Sequence, residues 1–168
     1  AQDIRTGTLL QAVYRAIQDA KACVRYFHEN AAIGGNTWGV DTNKVILGGM
    51  GTGGYIAVAY ATLDQVSEIN LPKFLAQNNV GSPYNYQAGF SYINQAIFGD
   101  FDGAGGVVQA NYSANNHLGY SSRVQFVFNC GGALGDSTWM AAGDAPMMNF
   151  HVVGDPYAPY GDGIVVVP

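Results

Sequence analysis

The spacing of apolar positions divides the chain into a few elements. From Leu10 the apolar residues fall at Val13, Ile17, Ala20, Val24 and Phe27, the 3.6-residue period of a helix with one buried face. Gln11, Arg15, Gln18, Lys21 and Arg25 lie off that stripe and are expected to face water. The Gly- and Asn-rich stretch Ala31–Gly39 ends this helix. Lys44-Val45-Ile46-Leu47-Gly48 is a short apolar run that reads as a strand buried on both faces, as in a parallel sheet. Gly49–Gly54 holds four glycines and reads as a tight turn. Tyr55–Leu63 reads as a second, mostly apolar helix. Further short apolar runs at Val124–Phe128, Met147–Val153 and Ile164–Val167 predict three more strands.

Residues 70–119 break this regularity with Pro72, Pro83, many Asn and Gly, and Gly103-Ala104-Gly105-Gly106. They read as an irregular, lid-like insertion, with a short helix in Phe90–Ile97. Helix, strand, turn, helix, insertion and strands make an α/β pattern: a parallel sheet flanked by helices in a single domain over 1–168. No internal repeat interrupts it.

Composition narrows the function classes. Charged residues are 11% of the chain, against about 25% in ordinary globular proteins. Seven Lys+Arg against twelve Asp+Glu give a net charge of −5 and no basic run, which argues against nucleic-acid binding. Apolar runs such as Ile56–Leu63 fall far short of the ~18 residues of a membrane span. No charged start followed by an apolar stretch marks an uncleaved signal peptide. The 23 glycines and 11 tyrosines leave a surface of Asn, Gln, Ser, Thr and Tyr. That surface suits an extracellular or periplasmic protein, or a subunit of an assembly. Cys23 and Cys130 lack metal-ligand spacing, and either two free thiols or one disulfide fits them.

The glycine turn carries most of the candidate chemistry. Gly49-x-Gly51-x-x-Gly54 matches a phosphate-cradling G-x-G-x-x-G formally. The acid that would hold a ribose belongs ~20 residues on at the end of a second strand. Asp64 and Glu68 come early, and no β-rich run leads into them. The same residues also frame a nucleophile elbow, G-x-S-x-G, from Gly49 to Gly53, with Gly51 where the serine stands. Glycine takes the strained tip conformation without penalty, so the corner can persist without its nucleophile. The Thr52 hydroxyl sits one position late to replace it.

Three stretches resemble the central and C-terminal part of an α/β-hydrolase of the carboxylesterase/lipase kind. Gln18–Phe27 resembles the helix before the nucleophile strand, and Val40–Gly54 resembles the strand and elbow. Pro146–Tyr160 resembles the strand and loop that present the triad acid, with Asn129–Asp136 fitting the strand end between. The resemblance implies that Asp155 stands in the triad-acid position. It implies that the Thr52 backbone N–H is one oxyanion donor, that Gly51 vacates the nucleophile position, and that His151 is a packed structural residue. It implies a small ester as ligand and no cofactor or metal. It also implies departures. No histidine follows Asp155 in these residues, while His28 and His117 precede it. The family's first strands and glycine-rich oxyanion loop have no counterpart, so the 168 residues read as a partial hydrolase fold. The expected outcome is a domain inactive on esters. The alternative is a binding or self-assembling subunit that pairs through an open sheet edge.

Two weaker signals remain. Asp100-Phe101-Asp102-Gly103 could open a calcium loop, but later acidic ligands are missing and a solvated turn fits better. Asn111-Tyr112-Ser113 matches the N-glycosylation triplet. His117, among Asn115, Asn116 and Gly119, reads as an exposed loop residue, and His28 as a residue near a helix C-terminus.

Overall fold

The computed structural model describes residues 2–107 and 116–166. Helix α1 (Gln2–Ile33) precedes strand β1 (Ile46–Met50) and helix α2 (Thr52–Thr62). Short helices α3 (Val66–Ile69) and α4 (Gln95–Phe98) lie in the middle of the chain, followed by β2 (Phe126–Cys130) and β3 (Met147–Phe150). The three strands form one parallel sheet in the order β1-β2-β3. In register, Leu47 lies beside Val127 and Met147, and Gly49 beside Asn129 and Asn149. Expected boundaries move by a few residues. Each of the first two strands starts later than its apolar run, and α2 begins three residues earlier, inside the glycines. Ile164–Val166 is not a strand; the Val166 N–H instead bonds to the Tyr157 carbonyl. The glycosylation triplet at 111–113 lies outside the described residues.

The core lies on one side of the sheet. Tyr14, Ile17 and Val24 of α1 meet Ala57, Ala59, Tyr60 and Leu63 of α2, and Val127 at the sheet centre is fully buried. Phe74 and Trp139 close the end of this cluster, ring to ring at 5.5 Å. The other side of the sheet is bare. Ile46 (63%), Met50 (82%), Phe128, Met148 and Phe150 all stand exposed there. The expectation that the strands are buried on both faces is therefore corrected. Apolar residues on both faces suit a strand to a covered sheet, but a second layer must be present to cover it.

A second correction concerns α1. Gln18 and Arg25, expected in water, are each 2% exposed. Lys21 is largely covered as well, while Arg15 is exposed. The polar flank of α1 carries donors that satisfy the irregular middle segment. Gln11 Nε2 bonds the Tyr92 carbonyl at 2.7 Å, and Tyr14 Oη that of Gly99 at 2.9 Å. Gln18 Nε2 bonds the carbonyls of Phe98 and Asp100, and Arg25 those of Asn116 and Asp102. These carbonyls have no ladder partners, and a buried carbonyl needs a donor. The insertion thus packs along α1 and adds a small core of its own, Ala76, Tyr86 and Tyr92 with Leu10 and Val80.

Candidate functional site: the vacant elbow

The three parallel strands end level, with Met50, Cys130 and Phe150 side by side. The segments leaving them converge at the carboxyl edge of the sheet, where open α/β sheets place their ligands. The first is the elbow. Gly51 alone turns the chain from β1 into α2, at φ 54° and ψ −120°. This left-handed φ favours glycine. The Gly51 N–H donates to the Cys130 carbonyl at 2.8 Å, which pins the corner to β2. The glycines around it are needed for close packing. A Cβ on Gly49 would fall 1.9 Å from the Gly53 carbonyl oxygen, and one on Gly54 would fall 2.2 Å from Asn129 Oδ1. A Cβ on Gly51 would meet nothing within 4 Å. The tip therefore projects into open space.

Gly51 also begins the helix. Its carbonyl accepts the N–H groups of Gly54 and Tyr55, and no side chain caps α2. Among the described residues, the N–H groups of Thr52 and Gly53 have no backbone acceptor. They are the unpaired first-turn donors of a helix, and its dipole favours negative charge there. The Thr52 and Gly53 N–H groups thus stand side by side at the start of α2.

Asn129, at the end of β2, braces the elbow from beneath at 3% exposure. Its amide donates to the Gly132 carbonyl (2.8 Å) and Asn149 Oδ1 (3.0 Å), and its Oδ1 accepts the Gly132 N–H (2.8 Å). Sequence reasoning placed Asn129 only as part of a strand end. A polar residue inside an apolar strand run was the available signal, since such a residue must find partners.

Asp155 follows β3. Its Oδ1 accepts the N–H groups of Tyr157 (2.8 Å) and Ala158 (2.9 Å). These bonds, Ala158 first, hold its carboxyl below the usual range, with a smaller contribution from nearby His151. Burial, with a smaller contribution from the Asp155 charge, pushes the Tyr55 hydroxyl up. Gly51 and Thr52 follow the end of β1, and Asp155 follows the end of β3.

The histidines do not join them. His151, half-buried, is hydrogen-bonded through Nε2 to the Ala158 carbonyl at 2.8 Å. His117 is not a free loop residue. It pairs with Glu29 and sets its ring edge-on to Tyr26 at 5.3 Å, because the insertion returns to the end of α1 there. His28 Nε2 is buried with no hydrogen-bond partner among the described residues. Among those residues, no histidine hydrogen-bonds Asp155. Among the described residues the arrangement offers free N–H donors and a carboxylate held by backbone N–H groups, and no histidine hydrogen-bonds that carboxylate.

Other candidates resolve similarly. Glu68 is buried and its carboxylate caps α3, accepting the N–H groups of Asp64 and Gln65. It therefore sits on a helix after α2 rather than at the end of a second strand. Asp100 Oδ1 accepts the N–H groups of Asp102 and Ala104, closing a turn on itself. Among the described residues no cluster of three His, Cys, Asp or Glu is placed to hold a metal, and no helix is long and apolar enough to cross a membrane. Cys23 and Cys130 are unpaired thiols. Comparison with family models, with curated proteins and with solved structures returns no match.

Proposed function

We propose that this chain is a carboxylesterase- or lipase-like α/β-hydrolase domain, secreted to an extracellular or periplasmic space, in which ester hydrolysis is silent. One observation carries the reading: a strand-to-helix corner with the strained backbone of a nucleophile elbow and glycine at its tip. Unpaired N–H donors on one side and the Asp155 loop on the other support it. A small ester would find oxyanion donors here and nothing to attack its carbonyl.

The test compares the chain as it is with Gly51→Ser on p-nitrophenyl acetate and butyrate, and on a fluorophosphonate that labels activated serines. The starting chain should neither turn over the esters nor take up label. The variant should fold with a loss of about 1–3 kcal/mol, because serine now holds the strained tip conformation. It should gain no turnover without a base, since triad members act as a unit. Turnover by the starting chain that Asp155→Ala abolishes would overturn the reading.

The bare sheet face, and outer edges of β1 and β3 that pair with no strand among the described residues, favour a second reading, a binding or self-assembling subunit. At about 100 Å² for each half-exposed large side chain, the five apolar residues of that face offer roughly 500–600 Å². That is the upper end of patches carried by monomers.

A further inference from the structure

The insertion contains a cleft of about 450 Å³, away from the elbow residues. Its size lies within the range of small-molecule sites. The lining combines exposed rings with uncharged amides. Phe90 is 66% exposed with no ring partner among the described residues, and Tyr84 is 40% exposed, tilted against Tyr86 at 5.9 Å. Asn85 and Gln87 line the cleft, and their side chains form no hydrogen bond among the described residues. No Asp, Glu, Lys or Arg contributes to the lining.

The floor is rigid. Tyr86 packs edge-on to Tyr92 at 5.1 Å and lies over Gly7 of α1, where a Cβ would come within 2.5 Å of its ring. The Tyr92 hydroxyl is committed to Asp3 at 2.6 Å, and the Ser91 hydroxyl to the Ile69 carbonyl at 2.6 Å.

We propose that this cleft binds a neutral oligosaccharide, with Phe90 and Tyr84 as stacking faces and Asn85 and Gln87 as hydroxyl readers. An uncharged lining excludes selection of anions or cations. A ring with one open face takes the C–H side of a pyranose. An amide presents two donors and an acceptor together, which matches hydroxyls that both donate and accept. A proline-rich peptide would demand donors alone, and two of the three cleft tyrosines have their hydroxyls committed or turned against α1. The inference does not depend on the state of the elbow.

The test titrates the whole chain with cellohexaose, xylohexaose, mannohexaose, maltohexaose and chitohexaose by calorimetry, with decaproline and hexagalacturonate alongside. At least one neutral hexasaccharide should bind with Kd on the order of 1 mM or tighter. Phe90→Ala should weaken it at least about tenfold, and Gln87→Ala by a smaller factor. Both side chains are exposed, so the thermal midpoint should stay put. Failure of every neutral probe at ~10 mM overturns the proposal. So does binding that Phe90→Ala leaves unchanged, or decaproline or hexagalacturonate binding in preference to all five.

Discussion

Asp3 shows how a single buried charge ties the insertion to the first helix. Its carboxylate is 3% exposed and accepts from the Gln77 N–H (2.6 Å), Asn78 Nδ2 (2.9 Å) and Tyr92 Oη (2.6 Å). The bonds from Asn78 and Tyr92, ahead of that from Gln77, lower its pKa from 3.8 to about 2. A carboxyl depressed on folding adds stability above its unfolded value and loses it as pH falls through the folded value. The contribution of Asp3 should therefore be complete above pH 3.8 and fade toward pH 2. Asp136, lowered to about 2 chiefly by Lys73 at 2.5 Å, fades over the same window. Urea midpoints measured across that range should fall less steeply for Asp3→Asn, by up to about one proton in the linkage slope. Parallel acid limbs for the two proteins would refute this account. An aspartate near a chain start carries no sign of such a role in sequence, because its partners lie more than seventy residues away.

At the scale of the element, α1 serves two neighbours with two adjacent faces. Its apolar stripe is legible from spacing alone and packs as expected. Its polar flank reads as solvent-facing by the same rule, yet it is buried wherever the insertion needs donors. Periodicity reports where a helix is apolar, and it is silent on polar residues that find partners in irregular chain. Gly7 lies on this flank. Alanine there would gain about 1 kcal/mol in helix propensity. Its Cβ would also collide with the buried Tyr86 ring at 2.5 Å, and forced overpacking costs about 1–3 kcal/mol. The collision should win. Gly7→Ala should lower stability in chemical denaturation and disturb the Tyr86 side chain. A variant more stable than the starting chain would mean the ring moves aside freely.

For the whole molecule, the decisive feature is a parallel sheet with a single covered face. Such sheets ordinarily have helices on both sides, and the five large side chains exposed on the bare face are all apolar. Light scattering on eluting fractions should give a mass above the 17.8 kDa of one chain at micromolar concentration. Met148→Lys on that face should return it to the monomer. Elution as a 17.8 kDa particle at every concentration would sink the assembly reading.

What the sequence determined by itself was local or periodic. The α1 stripe, the strand runs and the glycine corner follow from side-chain spacing and from the one residue type that tolerates a positive φ. The α/β class follows from their order. That the corner would fall at Gly51 was also legible, because only glycine takes that conformation freely. The tertiary structure decided the rest. It pinned the Gly51 corner to the Cys130 carbonyl, and it turned His117 onto Glu29. It buried Arg25, left Phe128 in the open, and arranged Tyr84, Tyr86 and Phe90 around a cleft. Each of these depends on which distant segments meet. Residue type says what a position can tolerate, whereas burial and partnership are properties of pairs that only the folded chain brings together.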